Sequence, residues 1–177
     1  MKKFLFALFA LTCYSNFAAA GEVKVNWGKL DDFTEISPGH ETKEHFRERL
    51  KKEFEDVFAA LAKKLPDGYQ LTVNISDIDL AGDIRPGASF SVSQIRIMRE
   101  IYWPRMNFSY ELRNTQQEVI AQAKEELRDM DYLHRVRIPS GRTSFEYEEK
   151  MLNDWFKKQV LAGTFPDTDA KAVTANK

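Results

Sequence analysis

The chain has 177 residues, 43% of them hydrophobic and 30% charged, and its 26 Lys and Arg against 27 Asp and Glu give a formal net charge of −1. That near-balance excludes a dedicated nucleic-acid binder, which carries a strong basic excess. The length suits one domain around one core, and a single cysteine, Cys13, excludes a disulfide scaffold.

The amino terminus reads as an export leader. Lys2 and Lys3 are its positive start, Phe4 to Leu11 is an unbroken apolar run, and Ala18-Ala19-Ala20 supplies the small residues of a cleavage site before Gly21. The run is too short to span a bilayer, which takes roughly 20 apolar residues. Residues 1–20 are therefore expected to be a signal peptide and the remainder to work in the periplasm. Cys13 raises the alternative of an outer-membrane lipoprotein, but it follows Ala10-Leu11-Thr12, and threonine fits poorly just before a lipidation cut. Loss of Lys2 and Lys3 takes the 26 basic residues to 24 against 27 acids, a net charge of −3.

Glu22 to Trp27 alternates polar and apolar residues, the period of a half-buried strand. After a connection with a Pro38-Gly39 turn, Glu41 to Leu65 carries Phe46, Leu50, Phe54, Val57, Phe58, Leu61 and Leu65 at spacings of three and four. That is one apolar face of a helix, stopped by Pro66-Asp67-Gly68. Leu71, Val73 and Ile75 define a second strand, and the shift of parity to Ile78 and Leu80 predicts a bulge near Ser76-Asp77. Asp79 to Phe90 is rich in Gly, Pro and Ser and reads as a loop, while Gln94 to Tyr102 reads as extended up to the break at Pro104.

Met106, Phe108, Tyr110 and Leu112 make a further alternating strand, Asn114 to Gln117 can turn the chain, and 118–127, whose Val119, Ile120, Ala123 and Leu127 would also suit a helix, is read as the hairpin partner. Thr143 and Glu146 have capping-box spacing before a second amphipathic helix through Leu152, Trp155, Phe156 and Val160, closed by Gly163. The expected fold is α+β: an antiparallel sheet of four to five strands with two amphipathic helices on one face. One domain is expected over 21–162, followed by a disordered tail over 163–177.

The Asp77–Gly87 segment carries three aspartates. As a calcium loop it fails: with Asp77 first, Ala81 and Ala88 fall where ligands are required. A hydrolase using two of these carboxylates is an alternative reading, against which stands the ordinary role of aspartates in bonding turn backbone. His40, His45 and His134 have no metal-binding spacing, so neither a metal nor a cofactor is expected. Arg85, Arg96, Arg99 and Arg105 lie around Tyr102-Trp103-Pro104, with Arg135, Arg137 and Arg142 later. Such a surface suits a phosphate, a lipid head group or a carboxylated glycan.

Four blocks together carry a resemblance: Asp79 to Gly87; Ile95-Arg96-Ile97 with Tyr102-Trp103-Pro104-Arg105-Met106; Phe108 to Leu112; and Tyr147 to Phe156. They resemble a family of exported Gram-negative proteins known only as domain of unknown function 3016, from about Val23 to Phe156. The resemblance implies export and supplies no reaction, ligand or catalytic residue. The expected function is a non-catalytic binding or accessory protein of the bacterial envelope, with an envelope protein, lipid or glycan as partner. The candidate ligand residues are Asp79, Asp83, Arg85, Trp103 and Arg105.

Overall fold

The computed structural model describes residues 21–39, 41–86, 94–135 and 144–166. The expected leader, His40, Arg137, Arg142, Thr143 and the tail from 167 onward lie outside them. Strand β1 (Glu22–Trp27) leads through a short 3-10 turn (Leu30–Asp32) into helix α1 (Lys43–Ala62). Strand β2 follows at Gln70–Asp79, then β3 at Asp83–Pro86 and β4 at Gln94–Ile97. The hairpin of β5 (Arg105–Arg113) and β6 (Val119–Arg128) precedes a short helix α2 (Tyr132–Arg135) and a long one, α3 (Glu146–Leu161).

The main sheet has the order β1-β2-β5-β6, and β3-β4 form a separate two-stranded sheet. The sheet is mixed rather than antiparallel, because β1 pairs with β2 in parallel from Glu22↔Gln70 to Trp27↔Ile75. Helix geometry is the reason. Twenty residues of α1 rise about 30 Å at 1.5 Å each, returning the chain to the end at which β1 began. A strand starting there runs alongside β1 in the same direction, the connection parallel strands require.

Strands β2, β5 and β6 are antiparallel neighbours. The register of β2 on β5 shifts between Ile75 and Asp77, which is the expected bulge. At the β5–β6 turn, Asn114 Oδ1 accepts hydrogen bonds from the backbone of Gln116 (2.9 Å) and Glu118 (3.0 Å). The turn closes with Gln117 in the left-handed region at φ 64°. Asparagine stabilises such a turn with its side chain.

One face of the sheet is apolar. Leu71, Val73 and Ile75 from β2 and Met106, Phe108, Tyr110 and Leu112 from β5 are all buried, as are Phe46, Leu50, Phe54, Phe58 and Leu61 of α1. Phe108 meets Phe58 of α1 edge-on at 6.0 Å between ring centroids and Trp155 of α3 at 5.0 Å. One side chain of β5 thus touches both long helices. The opposite face carries a polar row: Asn26 Nδ2 donates to Asn74 Oδ1 at 2.8 Å, and Asn74 Nδ2 donates to Ser109 Oγ at 3.4 Å.

Several expectations need correction. The segment from Asp79 is not loop throughout, since Asp83–Pro86 pairs with Gln94–Ile97; residues 87–90 lie outside the described set. Extended structure ends at Ile97 rather than Tyr102, where Tyr102 N–H donates to the Arg99 carbonyl in a turn. The capping box expected at α3 begins at Thr143, outside the described residues; Phe145 occupies the cap position without a side-chain hydrogen bond, and Glu53 Oε2 accepts the Ser144 N–H at 2.9 Å. Past Gly163, at φ 72°, Phe165 turns back into the core against Tyr110, Trp155 and Phe156, with centroids 5.2 to 5.6 Å apart.

Candidate functional site

The segment Leu80–Asp83, which leaves β2 and enters β3, is a wall between two clefts. On one side lies a cleft of about 210 Å³ lined by Glu35, Asp79, Asp83, Tyr102, Trp103 and Arg105, among others. Four of the five residues singled out in the sequence therefore share one surface. Their charges are turned on each other. Arg105 Nε donates to Asp79 Oδ2 at 2.8 Å, and its Nη2 bonds the same oxygen. Arg85 Nε donates to Asp83 Oδ2 at 2.6 Å and its Nη2 to the Tyr102 hydroxyl at 2.6 Å, with the guanidinium 5.8 Å from that ring's centroid. Arg85 itself is not among the residues lining this cleft. Asp77 is elsewhere engaged, accepting the backbone N–H and the hydroxyl of Thr34, each at 2.7 Å.

On the other side lies a larger cleft of about 850 Å³. Besides Ser37, Pro38, Gly39 and Glu41 from the connection before α1, its walls come from four places. The start of α1 gives Phe46 and Arg49, the segment after β2 gives Leu80 and Ala81, the β3–β4 pair gives Ile84, Ile95 and Arg96, and the start of α3 gives Phe145, Tyr147 and Glu148. Most of this lining is apolar, with charged groups set into it at intervals.

Glu148 is the unusual group. Only 2% of it is exposed, and its Oε1 accepts the Ala81 backbone N–H at 2.7 Å. Burial pushes its carboxyl above the usual glutamate range, against opposing contributions from the Ala81 N–H, from its own backbone N–H and from Arg96; Glu35 adds to the rise. Arg96 braces the same wall. Its Nη1 donates to Glu35 Oε2 at 3.1 Å and to the Ala81 carbonyl at 3.0 Å, while Nη2 donates to the Ser37 carbonyl at 3.2 Å. Ala81 is thus held at both polar ends, its N–H by Glu148 and its C=O by Arg96.

Arg49, at the opposite wall, is tied to Glu41 and, at 3.2 Å, to Glu53 Oε1. Its guanidinium lies 5.3 Å from the ring centroids of both Phe46 and Phe145. Among the described residues no cluster of His, Cys, Asp or Glu could hold a metal ion, and no helix is long and apolar enough to cross a membrane.

Gly82 fixes the shape of the dividing wall. It sits at φ 83°, and a Cβ there would meet Met98 Sδ at 2.6 Å, Arg96 Cγ at 2.9 Å and the Ile97 carbonyl at 3.0 Å. Gly82→Ala is therefore expected to lower the unfolding free energy by about 1–3 kcal/mol, the range for strained backbone. Urea unfolding of the two proteins checks this; an unchanged midpoint would show that the wall is not held in this conformation.

Arg96 belongs to the arginine surface legible in the sequence, but Glu148 is not among the residues singled out there, although a signal for it was present. Glu148, Met151, Leu152 and Trp155 recur at helical spacing on the apolar stripe of α3, and all four are buried. A glutamate in such a stripe is the informative exception, because a buried carboxyl requires a dedicated partner.

A model of the family described as "Protein of unknown function (DUF3016)" matches residues 21–158. No curated protein matches the chain. Among solved structures, a minor lipoprotein from Acinetobacter baumannii, seen in a 2.35 Å crystal structure, is 8% identical with a TM-score of 0.27; the alignment covers 84% of this chain and 98% of that one. A score this low carries no argument about fold or function.

Proposed function

The chain belongs to the DUF3016 family, and from that premise we propose that it is an exported, non-catalytic binding protein of the bacterial envelope that takes a largely apolar small molecule into the larger cleft. The observation that carries this reading is the cleft itself. At about 850 Å³ it falls within the roughly 300–1,000 Å³ of small-molecule sites, which are mostly apolar with a few fixed polar groups. Its charged residues already hold one another and the backbone, which keeps the walls in place before a ligand arrives and lowers the ordering cost of binding.

The hydrolase alternative needs an aspartate among Asp77, Asp79 and Asp83 free to act as acid or base. Thr34 engages Asp77, and arginines engage the other two, which favours the binding reading. The compartment is tested directly: the mass of protein recovered from the periplasmic fraction should correspond to a chain starting at Gly21. A diacyl adduct at Cys13 would support the lipoprotein alternative instead.

The binding experiment uses N-phenyl-1-naphthylamine, an uncharged apolar probe whose fluorescence rises in a dry site. The mature chain is expected to bind it saturably. Ile95→Asp is expected to weaken binding by about tenfold, or 1.4 kcal/mol, because it sets a charge in the apolar wall. Ile95 is 41% exposed, so the substitution leaves the core intact. No saturable binding, or binding indifferent to Ile95→Asp, removes this cleft as the site.

A further inference from the structure

We propose that the ligand of the larger cleft is an amphipathic amine, its apolar body against the walls and its ammonium group on the Glu148 carboxylate. This deepens the binding reading above and rests on it.

The charge inventory of the cleft points this way. Among the described residues two guanidiniums line it, and both are taken: Arg49 by Glu41 and Glu53, Arg96 by Glu35 and two backbone carbonyls. Around those two cations stand four carboxyls, Glu35, Glu41, Glu53 and Glu148. An anionic head group would have to displace an existing ion pair before it found a partner. A cationic one meets Glu148, which no lysine or arginine bonds directly among the described residues.

Glu148 also has acceptor capacity to spare. A carboxylate offers about four lone-pair sites, and the donors it has are backbone N–H groups, from Ala81 and from its own residue. It stands in the first turn of α3, where the positive end of the helix dipole favours a negative charge. An arriving ammonium would supply the counter-charge that burial withholds, and a charge-assisted bond is about twice as strong as a neutral one.

The groups facing Glu148 set how this depends on pH. They are Arg96 from β4, Glu35 from the segment after β1, Tyr132 from α2 and its ring neighbour Tyr147 from α3. Both tyrosine hydroxyls are pushed up by burial and stay neutral, and burial pushes the Glu148 carboxyl up as well. Binding an ammonium draws its proton off, and affinity should therefore rise with pH until Glu148 is ionised without help.

The test is displacement of N-phenyl-1-naphthylamine from the mature chain by decylamine, decanol and decanoate, from pH 5 to 8. The expected order is decylamine, then decanol, then decanoate, with the amine ahead of the alcohol by about tenfold at the upper end of the range. In Glu148→Gln the amine should fall to the level of the alcohol while decanol binds as before. Decanoate equal to or better than decylamine, or an amine preference surviving Glu148→Gln, overturns the proposal and leaves the cleft standing. Failure of all three to displace a probe that does bind overturns the proposal too. Failure of the probe itself to bind instead overturns the binding reading beneath it.

Discussion

Phe108→Ala is expected to lower the unfolding free energy by about 3–5 kcal/mol, the range for emptying a buried aromatic site. Phe108 is 2% exposed and is the residue of β5 that meets both Phe58 and Trp155. Removing its ring detaches α1 and α3 from the same point of the sheet and breaks two edge-to-face pairs, each contributing about 0.5–1.5 kcal/mol beyond burial. Neighbouring helices cannot collapse into the space, because Trp155 is itself held by Tyr110, Phe156 and Phe165.

Ser109→Ala is the control. Ser109 follows Phe108 in β5 and points to the polar face, where it accepts a 3.4 Å hydrogen bond from Asn74. A change there is expected to stay within about 0.5 kcal/mol. Urea unfolding at one pH measures both variants. Comparable losses at the two positions would mean that β5 does not divide a helix-covered face from an open one.

The contrast between these adjacent residues was legible in the sequence, because period-two alternation needs no knowledge of partners. The same holds for β1 and for the bulge at Ser76-Asp77, and the stripe of α1 shows in its spacing of three and four; β6 follows only from its place after a polar turn, because Val119, Ile120, Ala123 and Leu127 suit a helix equally. The pairing of strands was less accessible. Nothing in Glu22–Trp27 states whether its neighbour runs with or against it; the twenty residues of α1 between the strands are what force the parallel match. Strand β3 was hidden for a different reason. Asp83-Ile84-Arg85-Pro86 has loop composition, and it is extended because Gln94–Ile97 pairs with it.

The candidate site shows the same division. Asp79, Asp83, Trp103 and Arg105 were singled out by residue type, and they do share a cleft. The ion pair of Asp79 with Arg105 could not be foreseen, since the two lie 26 positions apart. Phe165 was assigned to a polar tail because it stands alone there, yet burial of a single aromatic ring is a tertiary event that local composition does not report. The larger cleft was least visible of all. It is built from residues as distant as Phe46 and Glu148, and only the glutamate in an apolar stripe betrayed it.

That glutamate sets the second large effect. Wild type is expected to lose stability relative to Glu148→Gln as pH rises above roughly 4.3, the value of an unfolded glutamate. The sign follows from linkage. Burial raises the folded carboxyl above its ordinary value, so between the unfolded and folded values the native state holds a proton that the unfolded chain has released. Stability falls with pH wherever the native state binds more protons. Below the unfolded value both states are protonated and the contribution is fully present; above the folded value it has gone.

Glutamine keeps an oxygen to accept the Ala81 N–H and has no charge to bury, so its profile lacks this descent. Glu148→Ala is expected to be worse than either at pH 5, by about 1–3 kcal/mol, because it leaves the Ala81 N–H buried without an acceptor. Unfolding midpoints of the three proteins from pH 4 to 8 decide the matter. Other titrating groups bend all three curves alike, so the difference between wild type and Glu148→Gln isolates the one carboxyl. Should those two curves run parallel across the range, Glu148 is charged or solvated throughout, and the dry acid at the base of the cleft does not exist.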